Sequence, residues 1–533
     1  MNKYLKYNIV CLLGASLIVG SGCKKILEPD PKALTVDVLY SDFNGSYLGV
    51  NGIYSGLTSV YRDGGILDVD YASDDVMGVP IGNSGYNQVD YFEMEPAGAG
   101  PMFGIMDGFY RIIYRANVAI GRIPNAVFPA RDATNQGTQR PFKEQFVGEA
   151  KFLRAFSYFQ LVRVFGGVPI HTEEIKASSE VNKPRASVAE VYALIETDLA
   201  DAIEKLPATG FGGGQGRGNE PGRATKWSAM ALLADVYLTQ KKYDLARTTA
   251  LAVINNNGGK SLNPRYVDNF PARTAANPVV AVGPENTQES LFEIQFQTQA
   301  GSAANGNVGT GNTFSGGMGP AGITVDGRGG IQQYRPTDSD PGNSTSTGIF
   351  FGLLQAYEAG DVRVDVNFSR AGNLSGAVIP LTHKYYENRN AAGNGNFPIY
   401  RMAEMYLIYA EAVNELGVLD AAGLEYVNRL RRRAAGATSL TAARPTGPVA
   451  DFAAGQSQAV YRELIRNERR RELAMENKRW FDLIRYGFDY AKDALVTKQS
   501  RTNFNENKFL FPIPRIEFTN NPNLGAQNPG YTN

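Results

Sequence analysis

Apolar residues recur at helical spacing along several long stretches of the chain. Between residues 142 and 165 they fall on more than one face, which predicts a helix that is buried on most sides. Two glycines and a proline within residues 166–169 end this helix. Ser187 and Glu190 have the spacing of a capping box, and the apolar helical pattern that follows them is terminated by Pro207. The pattern therefore predicts two long helices in this part of the chain.

A weak internal repeat indicates how such helices pair. A small residue followed by a large one recurs at offsets that match tetratricopeptide hairpins, because the small residue allows two helices to approach closely. The copies are Leu233-Ala234, Tyr237 and Ala246, and Tyr409-Ala410, Val413 and Ala422. A third, partial copy has Ala155 and Tyr158, and its second helix is predicted to begin at Ser187. Chance alignment of alanine-rich helices remains the alternative on spacing alone.

Two stretches lack this periodicity and are predicted to be loops. Residues 73–98 mix aromatic and amide side chains, and residues 301–330 contain eleven glycines, followed by a run rich in Gly, Asn, Ser and Thr. Long ordered loops in a compact domain usually bind something or move. The sequence thus predicts a mostly α-helical, tetratricopeptide-like scaffold with a large loop-rich face. We divide it into a helical region at 43–260, a loop-rich segment at 261–400 and a second helical region with a proline-rich tail at 401–533.

The amino terminus is typical of a secreted protein. Lys3 and Lys6 precede an apolar stretch at 9–19 and the small residues Gly20-Ser21-Gly22, so residues 1–22 are predicted to be a signal peptide. Small residues followed by Cys23 resemble the lipobox of bacterial lipoproteins, although Gly20 stands where Leu is usual. The resemblance implies that Cys23 is acylated and that residues 23–42 form a lipidated tether. The alternative is an ordinary secretory signal with Cys23 as a free thiol.

Composition narrows the chemistry further. Lys+Arg and Asp+Glu are 53 each, so bulk charge gives no sign of nucleic-acid or polybasic membrane binding. The 2 histidines, His171 and His383, and the 2 cysteines, Cys11 and Cys23, cannot build a zinc site of His and Cys ligands or a disulfide framework. The closely spaced oxygen-donor side chains that begin at Asp338 weakly resemble a calcium-binding loop, but the terminal Glu of such a loop is missing. We predict no metal and no cofactor.

Three passages taken together resemble the SusD/RagB family of outer-membrane nutrient-binding lipoproteins of Bacteroidetes. They are GEAKFLRAFSYFQLVRVFGGVPI at 148–170, IRNERRRELAMENKRWFDLIRYG at 465–487 and FLFPIPRIEFTNNPNLGAQNPGY at 509–531. The resemblance implies a surface-exposed protein, lipid-anchored in the outer membrane, that captures a glycan and delivers it to a SusC-like TonB-dependent transporter. Capture of a peptide, as in RagB-type members, is the alternative.

The motifs themselves have a mainly structural interpretation. In the second passage four acid and arginine pairs fall at i,i+3 on a predicted helix, so the basic run is expected to be largely paired within itself. These pairs are Glu463/Arg466, Glu468/Arg471, Glu476/Arg479 and Asp482/Arg485. Trp480 and Trp227 are expected in the core. The prolines of the third passage are expected to hold an extended tail against the body.

Candidate ligand residues come from the two loop segments. Sugars present flat C–H faces and hydroxyl groups, so a binding surface needs exposed aromatic rings with amides or carboxylates at the rim. The first segment offers Tyr86, Tyr91 and Phe92, and the second offers Tyr334 beside Gln333. Packing of a loop on the body is the alternative for each ring, and it is favoured for Phe350 and Phe351, which precede a helix predicted at Leu353. His383 is expected to be hydrogen-bonded internally.

An enzyme is the less favoured interpretation. A glycoside hydrolase needs two suitably placed carboxyl groups. The best doublet is Asp74-Asp75, but adjacent residues in a strand point to opposite faces. No G-x-S-x-G motif is present for serine catalysis. The sequence therefore predicts binding without chemistry, and it leaves a purely structural surface protein as a third class.

Overall fold

The computed structural model describes fifteen ranges of the chain. They are residues 35–61, 65–77, 85–96, 100–129, 133–135, 140–210, 220–256, 258–270, 284–296, 335–336, 352–374, 377–382, 384–385, 395–417 and 420–532. Cys23, Gln333, Tyr334, Asp338, Phe350, Phe351 and His383 lie outside them. The predicted signal peptide, lipid anchor and calcium pattern therefore remain predictions.

The described chain is mostly helical, as the sequence predicts. Its α-helices are α1 (Val36–Leu39), α2 (Phe43–Val60), α3 (Gly85–Asp90), α4 (Gly100–Arg122), α5 (Phe142–Phe165), α6 (Val188–Lys205), α7 (Lys226–Thr239), α8 (Tyr243–Asn256), α9 (Arg363–Asn367), α10 (Met402–Glu415), α11 (Ala421–Ala434), α12 (Gln458–Glu472), α13 (Arg479–Tyr486), α14 (Phe488–Lys492) and α15 (Arg515–Asn520). Short 3-10 turns lie at Ile66–Ala72, Ile123–Asn125, Ser178–Glu180, Tyr266–Asn269, Leu354–Ala356 and Glu506–Phe509, and a π turn at Asp493–Thr497.

The two long helices predicted at 142–165 and after Ser187 are confirmed. Helix α5 buries most of its residues and ends at Gly166, whose φ of 74° is one that residues with a Cβ rarely adopt. The capping box of α6 is formed: the Glu190 backbone N–H donates to Ser187 Oγ over 3.2 Å, and the Ser187 backbone N–H donates to Glu190 Oε2 over 2.7 Å. The helix then stops before Pro207, as predicted.

The helices pair as the repeat predicts. Helix α7 packs on α8, α10 on α11, and α5 on α6, while α8 also packs on α10 and so joins successive hairpins. Ala234 and Ala410, the small residues of the two copies, are fully buried at 0% exposure. The tetratricopeptide-like arrangement of the scaffold is therefore confirmed, and a close helix approach at these alanines explains it.

The strands of the described residues form four antiparallel pairs. They are β1 (Val76–Met77) with β5 (Arg335–Pro336), β2 (Thr134–Asn135) with β3 (Arg140–Pro141), β4 (Ser290–Ile294) with β8 (Phe397–Arg401), and β6 (Phe368–Leu374) with β7 (Ala377–Thr382). The β4–β8 pair is buried and packs against α2 and α7. Segment 261–400, predicted to be loop-rich, thus contributes strands to the body. No helix among the described residues is long and apolar enough to cross a bilayer.

The helix predicted across the second family passage is interrupted. Helix α12 ends at Glu472, and Met475 and Asn477, at φ 60° and 56°, turn the chain before α13 begins. Three predicted pairs form, between Glu463 and Arg466, Glu468 and Arg471, and Asp482 and Arg485. The pair predicted between Glu476 and Arg479 is wrong, because the turn directs the two side chains to different partners. Trp480 is in the core, as expected. Trp227 is partly buried and packs against the hydrophobic core.

Four of the six arginines of this passage pair with acids of the run, as predicted, but Arg470 and Arg479 pair with Asp74 and Asp75 instead. Acids of the passage also bind cations from distant parts of the chain. The carboxylate of Glu472 accepts from Arg433 Nη2 at 2.6 Å, from Arg401 Nη1 at 3.0 Å and from Arg363 Nη1 at 3.1 Å. Glu476 pairs with Arg401 and with Lys384, whose Nζ lies 2.6 Å from Glu476 Oε1. We call Arg363, Arg401, Arg433, Lys384, Glu289, Glu468, Glu472 and Glu476 the charged core; their side chains are at most 3% exposed.

The proline-rich tail packs against the body, as predicted. The Phe511 backbone N–H donates to Val164 O over 2.9 Å, and Asn528 Nδ2 donates to Phe165 O over 3.0 Å. Arg185 donates to Ala526 O and Asn528 Oδ1. The tail therefore covers the carboxyl end of α5, and within it α15 makes one short helix.

Candidate functional site

The structure brings the two loop segments named in the sequence analysis together. Strand β1, in the first segment, pairs with β5, in the second, with Val76 opposite Pro336 and Met77 opposite Arg335. Tyr334 directly precedes Arg335 in the chain. Residues 73–98 were predicted to be loop throughout, and the structure differs there: Gly85–Asp90 form helix α3, which carries the backbone of Tyr86. We call β1, β5, α3 and residues 91–96 the ligand segment.

Of the two candidate rings whose side chains the structure describes, Tyr91 is the one at the surface. It follows the carboxyl end of α3, and 43% of it is exposed. Its carbonyl accepts a hydrogen bond from Asn503 Nδ2 over 3.1 Å, and the same nitrogen donates to Glu93 Oε1 over 3.0 Å. The backbone around Tyr91 is thereby fixed to the carboxyl-terminal region, so the ring extends from a held position.

Phe92 is not a surface ring, and its prediction as one is wrong. Only 4% of the residue is exposed, and its ring lies 5.0 Å from that of Phe504 and 5.8 Å from that of Trp480. Its φ of 56° turns the chain so that neighbouring rings, Tyr91 and Phe92, point to solvent and to the core. Sequence reasoning could not separate them, because both follow the same polar stretch.

Buried ion pairs hold the residues that lead into β1. Asp74 accepts from Arg479 Nε at 2.6 Å, and Asp75 accepts from Arg470 Nε at 2.7 Å. Burial alone would raise the pKa of Asp74, but Arg470 and Arg479 lower it well below its usual range. Burial, aided by the charge of Asp74, raises the pKa of Asp75. Both carboxyl groups are occupied by arginines, which suits a structural role rather than acid and base catalysis.

Arg501 joins the parts of the ligand segment. Its guanidinium donates to Tyr71 O and Val76 O at 2.9 and 3.0 Å and lies 2.9 Å from Asp90 Oδ1. One side chain thus fixes the start of β1 and the residue before Tyr91. Sequence reasoning missed Arg501 and Asn503, and no local pattern would have revealed them, since their partners lie about four hundred positions away in the chain.

A concavity of about 380 Å³ lies next to Tyr91. Phe92, Glu93 and Glu95 line one side, and Lys508 and Tyr531 from the carboxyl-terminal tail line the other. The Lys508 ammonium lies 4.2 Å from the centre of the Tyr531 ring, and burial lowers the pKa of this lysine. Carboxylates, an ammonium group and ring faces together can hydrogen-bond hydroxyl groups and cover an apolar sugar face.

The two histidines have different outcomes. The prediction for His383 is untested, because this residue lies outside the described ranges. The His171 backbone N–H donates to Tyr158 Oη over 2.7 Å, and burial lowers the pKa of the His171 imidazole. The helix predicted at Leu353 is a single 3-10 turn, Leu354–Ala356. No group of three His, Cys, Asp or Glu side chains within the described ranges has the arrangement of a metal site.

Comparison with known proteins agrees with this fold. The model of the SusD family matches residues 378–531, and one described as "Starch-binding associating with outer membrane" matches residues 83–238. SusD-like protein P2 of Formosa agariphila is 32% identical over 72% of this chain and 73% of its own length. SusD-like protein P38 of the same organism is 25% identical over 99% of this chain and 100% of its own length.

Solved structures give the same result. A laminarin-binding SusD-like protein has a TM-score of 0.71 at 25% identity, covering 92% of this chain and 100% of that one. A SusD homologue from Bacteroides thetaiotaomicron has a TM-score of 0.71 at 21% identity, covering 93% and 98%, and shows the shared fold. The chain therefore belongs to the SusD/RagB family, a family of glycan-binding proteins.

Proposed function

We propose that the protein captures an oligosaccharide or polysaccharide at the cell surface and delivers it to a SusC-like TonB-dependent transporter for uptake. Lipidation at Cys23 would anchor it in the outer membrane, facing outward. Family membership supports glycan binding, and the description of the model matched at residues 83–238 supports association with the outer membrane. The transporter and the lipid anchor rest on the family resemblance and on the amino-terminal sequence.

The observation that carries the proposal is the pairing of β1 with β5, which joins two segments rich in aromatic and amide residues. Beside them Tyr91 offers an exposed ring on a backbone held by Asn503, and Arg501 links that backbone to β1. A ring held in place loses little conformational entropy when a sugar stacks on it. Tyr86, Tyr91, Tyr334 and Gln333 are therefore the proposed ligand residues, and Phe92 supports them from the core.

Isothermal calorimetry on the detergent-purified protein tests ligand binding. Laminarin is the first probe, because a solved relative at 25% identity is described as laminarin-binding. Acidic polysaccharides and a tryptic peptide mixture complete the panel. Saturable heat with a glycan that Tyr91→Ala weakens, while the control variant leaves it unchanged, supports the proposal. Tyr114→Ala is the matched control, because Tyr114 is also a tyrosine, 40% exposed, on α4. Binding of peptides and of no glycan would replace glycan by peptide as the ligand.

Delivery is tested separately by gentle extraction of the native membrane. A transporter partner predicts that the protein co-purifies with a large β-barrel protein. The lipid anchor predicts separately that Cys23→Ser weakens its retention in the membrane fraction. A protein recovered as an isolated monomer under the same extraction would contradict the delivery step and leave glycan capture unaffected.

A further inference from the structure

A second concavity, of about 610 Å³, lies between helix α2 and the end of strand β4. Asn51, Tyr54 and Ser55 of α2 form one wall, residues 220–223 form the floor, and Gln295 and Asn396 belong to the opposite wall. We call this concavity the α2 cleft. None of the described residues that line it belongs to the ligand segment or to the carboxyl-terminal tail. Its volume is within the range of sites that bind small molecules.

The wall formed at the end of β4 is a network of amide and carboxyl groups. Asn396 Nδ2 donates to Glu293 Oε2 over 3.1 Å and to Gln295 Oε1 over 2.9 Å, while Asn396 Oδ1 accepts from the Phe296 backbone N–H over 3.0 Å. Asn286 exchanges hydrogen bonds of 2.9 and 3.0 Å with Gln295. Glu293 and Asn396 are only 7% and 8% exposed. Their mutual hydrogen bonds fix the polar wall before any ligand arrives.

The helix wall supplies further polar groups. Asn51 Oδ1 accepts from Arg223 Nη2 over 2.5 Å, which leaves the Asn51 amide nitrogen facing the cleft without a hydrogen-bond partner among the described residues. The hydroxyl groups of Ser55 and Thr58 donate along their own helix over 3.0 and 2.8 Å, so their oxygens can still accept. The partly buried ring of Tyr54 adds apolar surface to the helix wall, while Leu57 and Ile294 lie beneath the lining, at 1% and 2% exposure.

The positive charge of Arg223 at the α2 cleft is paired with two carboxylates. Arg223 lies 2.8 Å from Glu149 Oε2 and 2.5 Å from Glu220 Oε2, and Glu220 Oε1 accepts from Tyr47 Oη over 2.7 Å. Burial raises the pKa of Glu293, which favours its neutral form. The cleft therefore presents no unpaired arginine for an anion, and its exposed polar groups are amides, hydroxyls and the carboxyl group of Glu285. Such a set fits neutral hydroxyl groups at several angles.

We propose that the α2 cleft is a second saccharide site, which binds a neutral oligosaccharide through the Asn51 and Gln295 amides, with sugar C–H groups against the partly buried ring of Tyr54. Gly222 leaves room for the Gln295 side chain beside it. A Cβ at this position would lie 2.3 Å from Gln295 Cγ, so a larger residue would displace the amide from its wall. This site is additional to the proposed function, which concerns the ligand segment.

Calorimetry with short neutral oligosaccharides tests the inference on the full-length protein in detergent. Laminarihexaose, maltohexaose and cellohexaose are the probes, because a short chain is less able to bridge two sites. Ser55→Trp should fill the α2 cleft and remove one binding site, and Gln295→Ala should weaken that site about tenfold through lost neutral hydrogen bonds. Ser55 is exposed, so its change should not lower the melting temperature, whereas Gln295→Ala also removes hydrogen bonds to Asn286 and Asn396, so its melting temperature is measured beside its affinity. Ser59→Trp, on the same helix at an exposed position that does not line the cleft, is the matched control.

The outcomes separate this inference from the proposed function. Binding that Ser55→Trp and Gln295→Ala reduce while Ser59→Trp and Tyr91→Ala leave it within about twofold establishes the second site. Binding that only Tyr91→Ala removes would overturn the α2 cleft as a site and keep the ligand segment. Absence of heat with all three probes, or equal effects of Ser55→Trp and Ser59→Trp, would also overturn it.

Discussion

The α7–α8 hairpin and the charged core are stabilised by opposite means. The hairpin joins helices that are neighbours in the chain, and its contact is made by apolar residues such as Ala234, which is 0% exposed. The charged core gathers Glu289, Lys384, Arg401 and Glu472 from separate parts of the chain and buries all of them. A hairpin can form from local pattern alone, whereas burying charges is favourable only when every partner has arrived. The two regions should therefore respond differently to mutation and to pH.

The largest effect is expected where the charged core loses a shared carboxylate. Glu472→Gln leaves the guanidinium groups of Arg363, Arg401 and Arg433 with one fewer charge among them in a site without solvent. We expect a loss of about 3 to 5 kcal/mol in the free energy of unfolding, measured by urea denaturation. Glu463→Gln is the control, since Glu463 pairs with Arg466 while its side chain is 51% exposed, and it should lose at most about 1 kcal/mol. Equal losses would contradict the distinction between the two kinds of pair.

A pH titration examines the same region without a large structural change. Burial opposes ionisation of Glu476, but Arg401 and Lys384 prevail and lower the pKa of this carboxyl group to about 2. A carboxyl group with a lowered pKa stabilises the fold above the pKa of the unfolded chain, and this stabilisation is lost as pH falls toward the folded pKa. We expect a loss of about 3 kcal/mol between pH 4.5 and pH 2 from this group.

The matched variant for that titration is Glu476→Gln. It should be less stable at neutral pH, and its melting temperature should fall less steeply below pH 4.5. Thermal unfolding followed by circular dichroism at a series of pH values measures both. If the melting temperature of the variant falls as steeply in acid as that of the unmodified protein, other carboxyl groups dominate acid unfolding.

These regions also show what local sequence pattern can predict. The helices at Phe142–Phe165 and Val188–Lys205 and the pairing around Ala234 and Ala410 were predictable, because each depends on residues within a few turns. The partners of Arg470 and Arg479 were not, because Asp75 and Asp74 lie 395 and 405 positions away. The turn at Met475 and Asn477 breaks a pattern that is continuous on a helical wheel.

The candidate site also has one part that the local sequence predicts and another that depends on distant residues. The composition of residues 73–98 predicts a stretch with exposed rings, and Tyr91 is exposed there, but its neighbour Phe92 is buried. The alternation depends on the ring stack of Trp480 and Phe504, which comes from the other end of the chain. Local pattern thus identifies a candidate segment, and contacts with distant residues decide which of its rings are exposed.

The hairpin should respond to volume rather than to charge. Ala234→Leu adds three carbon atoms where two helices approach closely, and we expect a loss of about 1 to 3 kcal/mol in the free energy of unfolding. The loss should be the same at pH 4.5 and at pH 7, as measured by urea denaturation. Leu245→Ala, at a position of α8 that is 46% exposed, is the control and should change stability by about 0.5 kcal/mol or less. A pH-dependent loss in Ala234→Leu would mean that the hairpin and the charged core unfold as one unit.

The smallest effect is expected at the contact that links the carboxyl-terminal region to the ligand segment. Asn503→Ala removes the hydrogen bonds to Tyr91 O and Glu93 Oε1, both of which are exposed. Stability should fall by about 0.5 kcal/mol or less, because water replaces both bonds in the variant. Glycan affinity should nevertheless fall about threefold, since the Tyr91 backbone must then be ordered when the ligand binds. Asn505→Ala, which removes exposed hydrogen bonds at Asn503 O and Asn507 N, is the control. Unequal effects on stability and affinity distinguish a contact that positions a ring from one that merely contributes to the fold, and calorimetry beside urea denaturation measures the two in the same variant.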